Sequence, residues 1–297
     1  MSIRRYERPL TVKAAVDFLI NEEGCATVLA GGTDLIADVR AGREAGLVVD
    51  IKHIPELNEI RWEKDGALIL GSCVIVQRIA GDAAIRGRYR ALSDAAENLG
   101  SYQVRCRATI AGNLGNASPC ADNAPALLVL NAQVRVASPQ GCRETALNGF
   151  IRDVKQTVLK RGEIITALII PPRPPRLRSA FYKIKRVRGH DMALVNAAGA
   201  YDPDNREFSL AIGSAACTPV LVRGLEGICP PGSAADAVGD RLAERALADI
   251  SPIDDVRASA QYRRDMTALL CRRLARTLME ADGPPANGIM QTGGAGG

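Results

Sequence analysis

The chain has 297 residues, 47% of them hydrophobic and 24% charged, and a formal net charge of +5. These values are typical of a globular protein with one large domain or two ordinary ones. Aromatic residues make up only 4%, which argues against a nucleic-acid reader that stacks bases. No apolar run reaches the ~18 residues of a membrane span. The N-terminal arginines have no apolar segment behind them, so we expect no secretory signal and a cytoplasmic protein.

The N-terminal part predicts alternating helices and strands. Residues 11–24 carry an apolar stripe at helical spacing that ends at Gly24. A short strand from Thr27 to Ala30, a glycine turn, a helix beginning near Asp34 and a strand over 46–54 follow. Further along, the pattern predicts a strand at 67–76, a helix at the end of 81–100, a helix tail followed by a strand in 126–138, and a strand at 163–172.

A proline-rich joint at 171–179 marks a boundary, because four prolines in nine residues favour an extended connection. Beyond it we expect a three-stranded antiparallel meander and two helices, at about 233–249 and 254–281. We expect the tail, 284–297, to be disordered. In the last helix, the arginines are expected to face outward. The apolar residues expected to face inward are Val256, Met266, Leu269, Leu270, Leu274 and Leu278.

Eight cysteines are scattered through the chain, and none forms a C-x-x-C pair. A zinc ribbon or a cysteine-ligated cluster needs at least one tight pair. The two histidines, His53 and His190, add little to a ligand set. We therefore expect no metal site on this chain and interpret the cysteines as small core residues.

Two glycine-rich segments are candidate ligand loops. LAGGTDL (29–35) lies between a predicted strand and helix, where glycines permit positive φ and close approach of a ligand to the backbone. TIAGNLGNASPCADNAP (109–125) adds a second small-residue turn, several amides and hydroxyls, and the single carboxylate of Asp122. Neither contains G-x-G-x-x-G or G-x-x-x-x-G-K-S/T, so a Rossmann site and a P-loop are disfavoured. The residues alone predict a phosphate-bearing cofactor between two loops; the alternative is a pair of tight turns with no ligand.

Four ordered motifs resemble the FAD-binding subunit of the molybdenum hydroxylases, the family of the carbon monoxide, nicotinate, quinoline and xanthine dehydrogenases. The motifs are AGGTDL (30–35), TIAGNLGNASPCAD (109–122), FYKIKRVRGHDMALVNAAGAY (181–201) and SPIDDVRASAQYRRDM (251–266). The resemblance implies an α+β protein. Its FAD-binding fold would be of the vanillyl-alcohol-oxidase/PCMH type over 1–175, with subdomains at about 1–55 and 56–175. A small C-terminal domain of a three-stranded antiparallel sheet plus helices would occupy 176–283.

The resemblance also assigns site residues. The first loop would hold the pyrophosphate with its main-chain amides: Val28, Leu29, Ala30, Gly31, Gly32, Thr33, Asp34 and Leu35. The second would complete the phosphate and ribityl contacts: Thr109, Ile110, Ala111, Gly112, Asn113 and Ser118. Asp122 would accept hydrogen bonds from cofactor hydroxyls, Leu99 and Ile165 would lie against the ring system, and Lys183 would sit near the isoalloxazine. We expect Gly32→Val to abolish FAD binding by filling space beside the pyrophosphate.

The implied function is electron transfer within a heteromeric oxidoreductase. Molybdopterin would be on a large partner subunit and 2Fe-2S clusters on a small one, in a heterotrimer or its dimer. Electrons would pass through non-covalent FAD on this chain to NAD, quinone or oxygen. The alternatives are a stand-alone FAD-dependent oxidoreductase with its own substrate pocket and a non-catalytic binding or assembly protein. The basic runs at 173–188 and along the last helix are interpreted as solvated or subunit-facing surfaces rather than nucleic-acid sites.

Overall fold

The computed structural model describes residues 3–187 and 189–280. The predicted disordered tail, 284–297, lies outside the described residues. Within them, no helix is both long and apolar enough to cross a membrane. The described residues form three larger sheets and one small two-stranded sheet.

The first unit is a parallel sheet of three strands in the order β1-β3-β2. Its elements are β1 (Ile3–Glu7), α1 (Val12–Asn21), β2 (Ala26–Leu29), α2 (Leu35–Arg40) and β3 (Gly46–Asp50). The side chain of Thr11 caps α1 by accepting a hydrogen bond from the amide of Ala14. The predicted strand–glycine turn–helix–strand order is confirmed, and it places the first glycine loop where β2 ends.

The second unit is an antiparallel sheet of five strands in the order β4-β5-β10-β6-β7, with helices on one side. Its strands are β4 (Ile60–Trp62), β5 (Leu68–Gly71), β6 (Gln133–Ser138), β7 (Gly141–Ala146) and β10 (Ile164–Ile170), and a hairpin of β8 (Ile151–Asp153) and β9 (Gln156–Thr157) lies beside them. Its helices are α3 (Val76–Gly81), α4 (Ala83–Arg88), α5 (Arg90–Asn98), α6 (Tyr102–Arg105), α7 (Ile110–Gly115) and α8 (Asn123–Val129).

The C-terminal unit is an antiparallel sheet covered by two long helices. Its elements are β11 (Arg178–Ile184), β12 (Val195–Asp202), β13 (Glu207–Gly213), β14 (Val220–Leu221), α9 (Ala235–Asp249) and α10 (Ala260–Met279). The three predicted strands are present, and the short β14 adds a fourth. Successive β12 residues point to opposite faces, so Ala198 and Ala200 join the core of the second unit while Val195 and Ala197 pack toward α9 and α10. The C-terminal sheet therefore lies directly against the second glycine-rich segment.

Several local predictions are wrong. The strand predicted at 67–76 ends at Gly71, and α3 begins at Val76. Val256 precedes α10 and is 98% exposed instead of facing inward. Among the arginines expected on an exposed face, Arg263 is only 2% exposed. Lys183, in the basic run expected to be a solvated or subunit-facing surface, is buried as well. Both cations have buried protein partners that the local charge pattern does not reveal.

Candidate functional site

A cavity of about 300 Å³ lies between the first unit and the second. This volume is within the range of small-molecule sites. Both glycine-rich segments line it, together with the start of β10. From the predicted site, the cavity is lined by Val28, Leu29, Ala30, Gly31, Gly32, Thr33, Asp34, Leu35, Thr109, Ala111, Gly112, Asn113 and Ile165.

The first loop touches the backbone of the two residues that precede the second segment. A Cβ atom on Gly31 would lie 2.3 Å from the carbonyl oxygen of Arg107 and 2.9 Å from the Cα of Ala108. Gly32 has a φ of +75°, which favours glycine, and a Cβ there would lie 2.9 Å from Cδ1 of Leu29. Gly32→Val therefore meets a backbone conformation that disfavours a β-branched residue, in addition to the expected filling of space beside the pyrophosphate, which stays a prediction.

The second segment is a short helix, α7, where the sequence predicted a turn. The hydroxyl of Thr109 caps it by accepting from the amide of Gly112 at 3.1 Å. The amide of Ile110 donates to the carbonyl of Val74, which fixes α7 to the segment after β5. The backbone amide and side-chain Nδ2 of Asn123 donate to Oδ1 of Asn113 at 3.4 and 3.2 Å. Oδ1 of Asn113 is thereby engaged, which leaves its Nδ2 group to donate to a ligand.

Five predicted residues do not line this cavity. Ile110 is fully buried on the core side of α7, and Leu99 is buried at the end of α5. Ser118 accepts a hydrogen bond from the amide of Cys120. Asp122 and Lys183 contact each other beside the C-terminal sheet. The structure therefore brings together the two loops and Ile165, whereas the other predicted ring-side residues, Leu99 and Lys183, do not line the cavity.

Asp122 and Lys183 form a buried ion pair. The ammonium of Lys183 donates to Oδ2 of Asp122 at 2.7 Å and to the carbonyl oxygen of Asn98 at 3.1 Å. Nδ2 of Asn196 donates to Oδ1 of Asp122 at 3.0 Å. Burial raises the pKa of the Asp122 carboxyl above its ordinary value, and the Lys183 ammonium and the Asn196 amide oppose that rise. The pair ties the second loop to β11 and β12.

Gly115 and Asn116, within the second predicted segment, line the cavity as well. Sequence reasoning missed a set of cavity-lining residues outside the two segments: Thr27, Asp38, Arg43, Ile51, Ser72, Ala108, Leu159, Glu163 and Ile164. Ser72 is the most informative of them. It is 2% exposed, and its hydroxyl has no hydrogen-bond partner within residues 3–187 and 189–280. A buried hydroxyl without a partner is costly, and one that borders a cavity is a candidate ligand contact. The sequence placed Ser72 within a strand, which gave no signal of this role.

Comparison with known proteins accounts for both parts of the chain. The family described as the FAD binding domain in molybdopterin dehydrogenase matches residues 1–173. The CO dehydrogenase flavoprotein C-terminal domain matches residues 180–278. The chain belongs to the molybdopterin dehydrogenase FAD-binding family. It is therefore an FAD-binding subunit of the molybdenum hydroxylase type and a component of an oxidoreductase, which confirms the family inferred from the four motifs.

Two relatives of this FAD-binding family match most of the chain. The xanthine dehydrogenase FAD-binding subunit of Escherichia coli O157:H7 is 29% identical over 283 residues, covering 94% of this chain and 97% of the relative. The carbon monoxide dehydrogenase medium chain of Hydrogenophaga pseudoflava is 26% identical over 273 residues, which cover 90% of this chain and 94% of the relative. The chain thus aligns with these subunits over nearly their full lengths.

Solved structures confirm the fold. Reconstituted CO dehydrogenase from Oligotropha carboxidovorans matches with a TM-score of 0.87 and 26% identity, covering 94% of this chain and 98% of that chain. A carbon monoxide dehydrogenase from Hydrogenophaga pseudoflava matches with a TM-score of 0.89 and 23% identity, covering 94% of this chain and 98% of that chain. At this identity the match shows a shared fold alone. The predicted mixed α and β architecture with a C-terminal sheet domain is confirmed.

The cavity suits the cofactor of this FAD-binding family. A diphosphate with a sugar chain needs backbone approach and small polar donors, which the two glycines of the first loop, Asn113 and the unpaired Ser72 hydroxyl supply. A flavin or adenine ring needs apolar walls, which Leu159, Ile164 and Ile165 offer. The residues present therefore fit FAD.

Ser72→Ala is predicted to separate ligand binding from stability. Because the hydroxyl has no protein partner, removing it should leave the melting temperature of the FAD-free chain unchanged or slightly raised. If the hydroxyl donates to FAD, its removal should weaken FAD binding by roughly fivefold, equivalent to about 1 kcal/mol. Thermal unfolding without FAD and fluorescence titration with FAD measure the two effects. Unchanged FAD affinity would remove Ser72 from the site.

Proposed function

We propose that this chain is the electron-transfer subunit of a heteromeric molybdopterin-dependent hydroxylase or dehydrogenase. It binds FAD non-covalently. Partner subunits, one large with molybdopterin and one small with 2Fe-2S clusters, complete a heterotrimer or its dimer. Electrons from the 2Fe-2S clusters cross this chain to an external acceptor: NAD, quinone or oxygen. The cavity between the two glycine-rich segments, within the region that the FAD-binding family matches, carries this proposal.

Each part of the site has a proposed role. The main-chain amides of 28–35 hold the pyrophosphate, and 109–113 with Ser118 complete the phosphate and ribityl contacts. Asp122 accepts from cofactor hydroxyls, Leu99 and Ile165 lie against the ring, and Lys183 sits near it. The cofactor supplies the redox chemistry when bound, while these residues bind it and orient it. The Lys183 charge sits within the buried pair with Asp122, where an ammonium favours negative charge nearby.

The proposal includes the domain division and the compartment. An FAD-binding domain at 1–175, with subdomains at about 1–55 and 56–175, and a C-terminal domain at 176–283 are supported by the family matches at 1–173 and 180–278. A cytoplasmic location is supported by eight free cysteines, since reducing compartments keep thiols unpaired.

Purification of the chain with its bound partners tests this function. We expect acid-released FAD, iron–sulfur absorbance and two further chains, one larger and one smaller. The isolated chain should reduce artificial acceptors at most and turn over no organic substrate. Substrate turnover by the isolated chain, without partners, would instead establish a stand-alone FAD-dependent oxidoreductase and contradict the proposal.

A further inference from the structure

We propose that Asp255, Arg257 and Arg263, here called the C-terminal arginine cluster, position residues 118–122 of the FAD site. The cluster comes from the SPIDDVRASAQYRRDM motif, which has no role in the cavity itself. The inference rests on the proposed function, because 118–122 carries two of the proposed FAD contacts, Ser118 and Asp122.

Asp255 organises the cluster. Its Oδ2 accepts from Nε and Nη2 of Arg257 at 3.0 and 2.6 Å, and its Oδ1 accepts from Nη2 of Arg263 at 2.9 Å. Burial alone would raise the pKa of the Asp255 carboxyl, but hydrogen bonds from Arg257 and the backbone, together with Arg263, hold that pKa well below its usual range. The carboxylate therefore stays charged and both guanidinium groups stay fixed throughout the neutral range.

Arg257 connects this cluster to the second loop directly. Its Nη1 lies 3.4 Å from Sγ of Cys120, a residue 137 positions earlier in the chain, and 3.8 Å from Sδ of Met192. The Arg257 side chain is only 20% exposed, and two of its nitrogens are engaged by Asp255. Oδ2 of Asp255, which accepts from two nitrogens of the Arg257 guanidinium, thus holds Nη1 of that group against Cys120.

Arg263 supplies a second connection. Its buried Nη1 donates to the carbonyl oxygens of Leu194 and Ser214, which lie just before β12 and just after β13. The amide of Ser214 in turn donates to the carbonyl oxygen of Pro119 at 3.0 Å. Ser214 has a φ of +62°, an unusual conformation for serine that these contacts help to hold.

These contacts converge on one short segment. Pro119 is held through Ser214, Cys120 through Arg257, and Asp122 through Lys183 and Asn196 on β11 and β12. Asp255, Arg257 and Arg263 lie outside the cavity lining. They are therefore positioning residues that act on the FAD site through 118–122.

Arg257→Ala tests the cluster with three measurements. In the FAD-free chain, hydrogen–deuterium exchange of the peptide covering 118–122 should become faster. The dissociation constant for FAD should rise about tenfold, as expected when the displacement of 118–122 removes one hydrogen bond to the cofactor. The visible circular dichroism of bound flavin should change, because the ring-side environment is displaced. Arg272→Ala is the matched control: Arg272 lies on α10 and pairs with Asp240 at 2.6 Å on the exposed surface, so it should change none of these.

A double-mutant cycle with Cys120→Ala tests the route. If Arg257 acts through Cys120, the Arg257→Ala/Cys120→Ala protein should bind FAD no worse than Arg257→Ala alone. Fully additive losses would overturn this route, and an Arg257→Ala protein that matches the Arg272→Ala control would overturn the cluster's role while leaving FAD binding intact. Failure of the unmodified chain to bind FAD would instead remove the proposed function, and the cofactor role of the cluster with it.

Discussion

Replacing Lys183 with methionine is expected to lower the free energy of unfolding by about 3–5 kcal/mol, the cost of leaving a buried charge without its partner. The Lys183 and Asp122 side chains are 1% and 7% exposed, so water cannot replace the ammonium. The Asn196 amide would remain the only side-chain donor to Asp122 among the described residues. Urea denaturation of the FAD-free chain measures the loss.

Two further variants make the Lys183 result specific. Adding Asp122→Asn to Lys183→Met should recover most of the lost stability, because no unpaired charge remains. Arg176→Met is the control, since Arg176 pairs with Asp204 at 2.8 Å but both side chains are exposed. It should cost at most about 1 kcal/mol. Equal decreases in the free energy of unfolding for Lys183→Met and Arg176→Met would contradict the buried ion pair.

Gly31→Ala is expected to reduce FAD affinity by at least about 100-fold, the effect of losing two charge-assisted hydrogen bonds of about 1.5 kcal/mol each between loop amides and the phosphates. The added methyl group would lie 2.3 Å from the backbone oxygen of Arg107, so the first loop must move away from the segment that leads into α7. The same overlap should cost about 1–3 kcal/mol of stability. Fluorescence titration with FAD and thermal unfolding measure both effects.

Gly87→Ala is the matched control for Gly31→Ala. Gly87 lies in α4, and a Cβ there meets nothing within 4 Å. Alanine favours helix over glycine by up to about 1 kcal/mol, so this variant should be neutral or more stable and bind FAD normally. If Gly31→Ala behaves as Gly87→Ala does, the first loop is not in contact with the backbone of Arg107 and Ala108.

Local patterns predict the regular elements well and their tertiary exceptions poorly. The apolar stripe over 11–24 predicts α1 correctly because side-chain periodicity is a local signal. Apolar alternation continues past Gly71, yet the strand ends there. Gly71 packs against the carbonyl of Leu57, and the next two amides donate to Thr166 and Leu57. These partners are distant in sequence, so no periodicity reveals them.

In the candidate site, too, local patterns predict some features and tertiary contacts decide the others. Both candidate ligand loops can be recognised in the sequence because glycines, amides and hydroxyls cluster there, and both line the cavity. The second loop is helical because Thr109 caps it and Asn123 holds Asn113, despite glycines that disfavour a helix. The burial of Ser72 and of Arg263 depends on backbone groups that are distant in the chain, such as the carbonyl oxygens of Thr166 and Ser214. Local sequence patterns do not reveal these contacts.

An equilibrium titration of the purified chain with FAD and, in parallel, riboflavin tests the central claim most directly. Flavin fluorescence gives the affinities, and acid treatment shows whether the bound flavin is released. We predict stoichiometric, acid-releasable FAD and much weaker riboflavin binding, because the two loops are proposed to hold the phosphates. No binding after reconstitution with FAD, or riboflavin bound as tightly as FAD, would contradict the account.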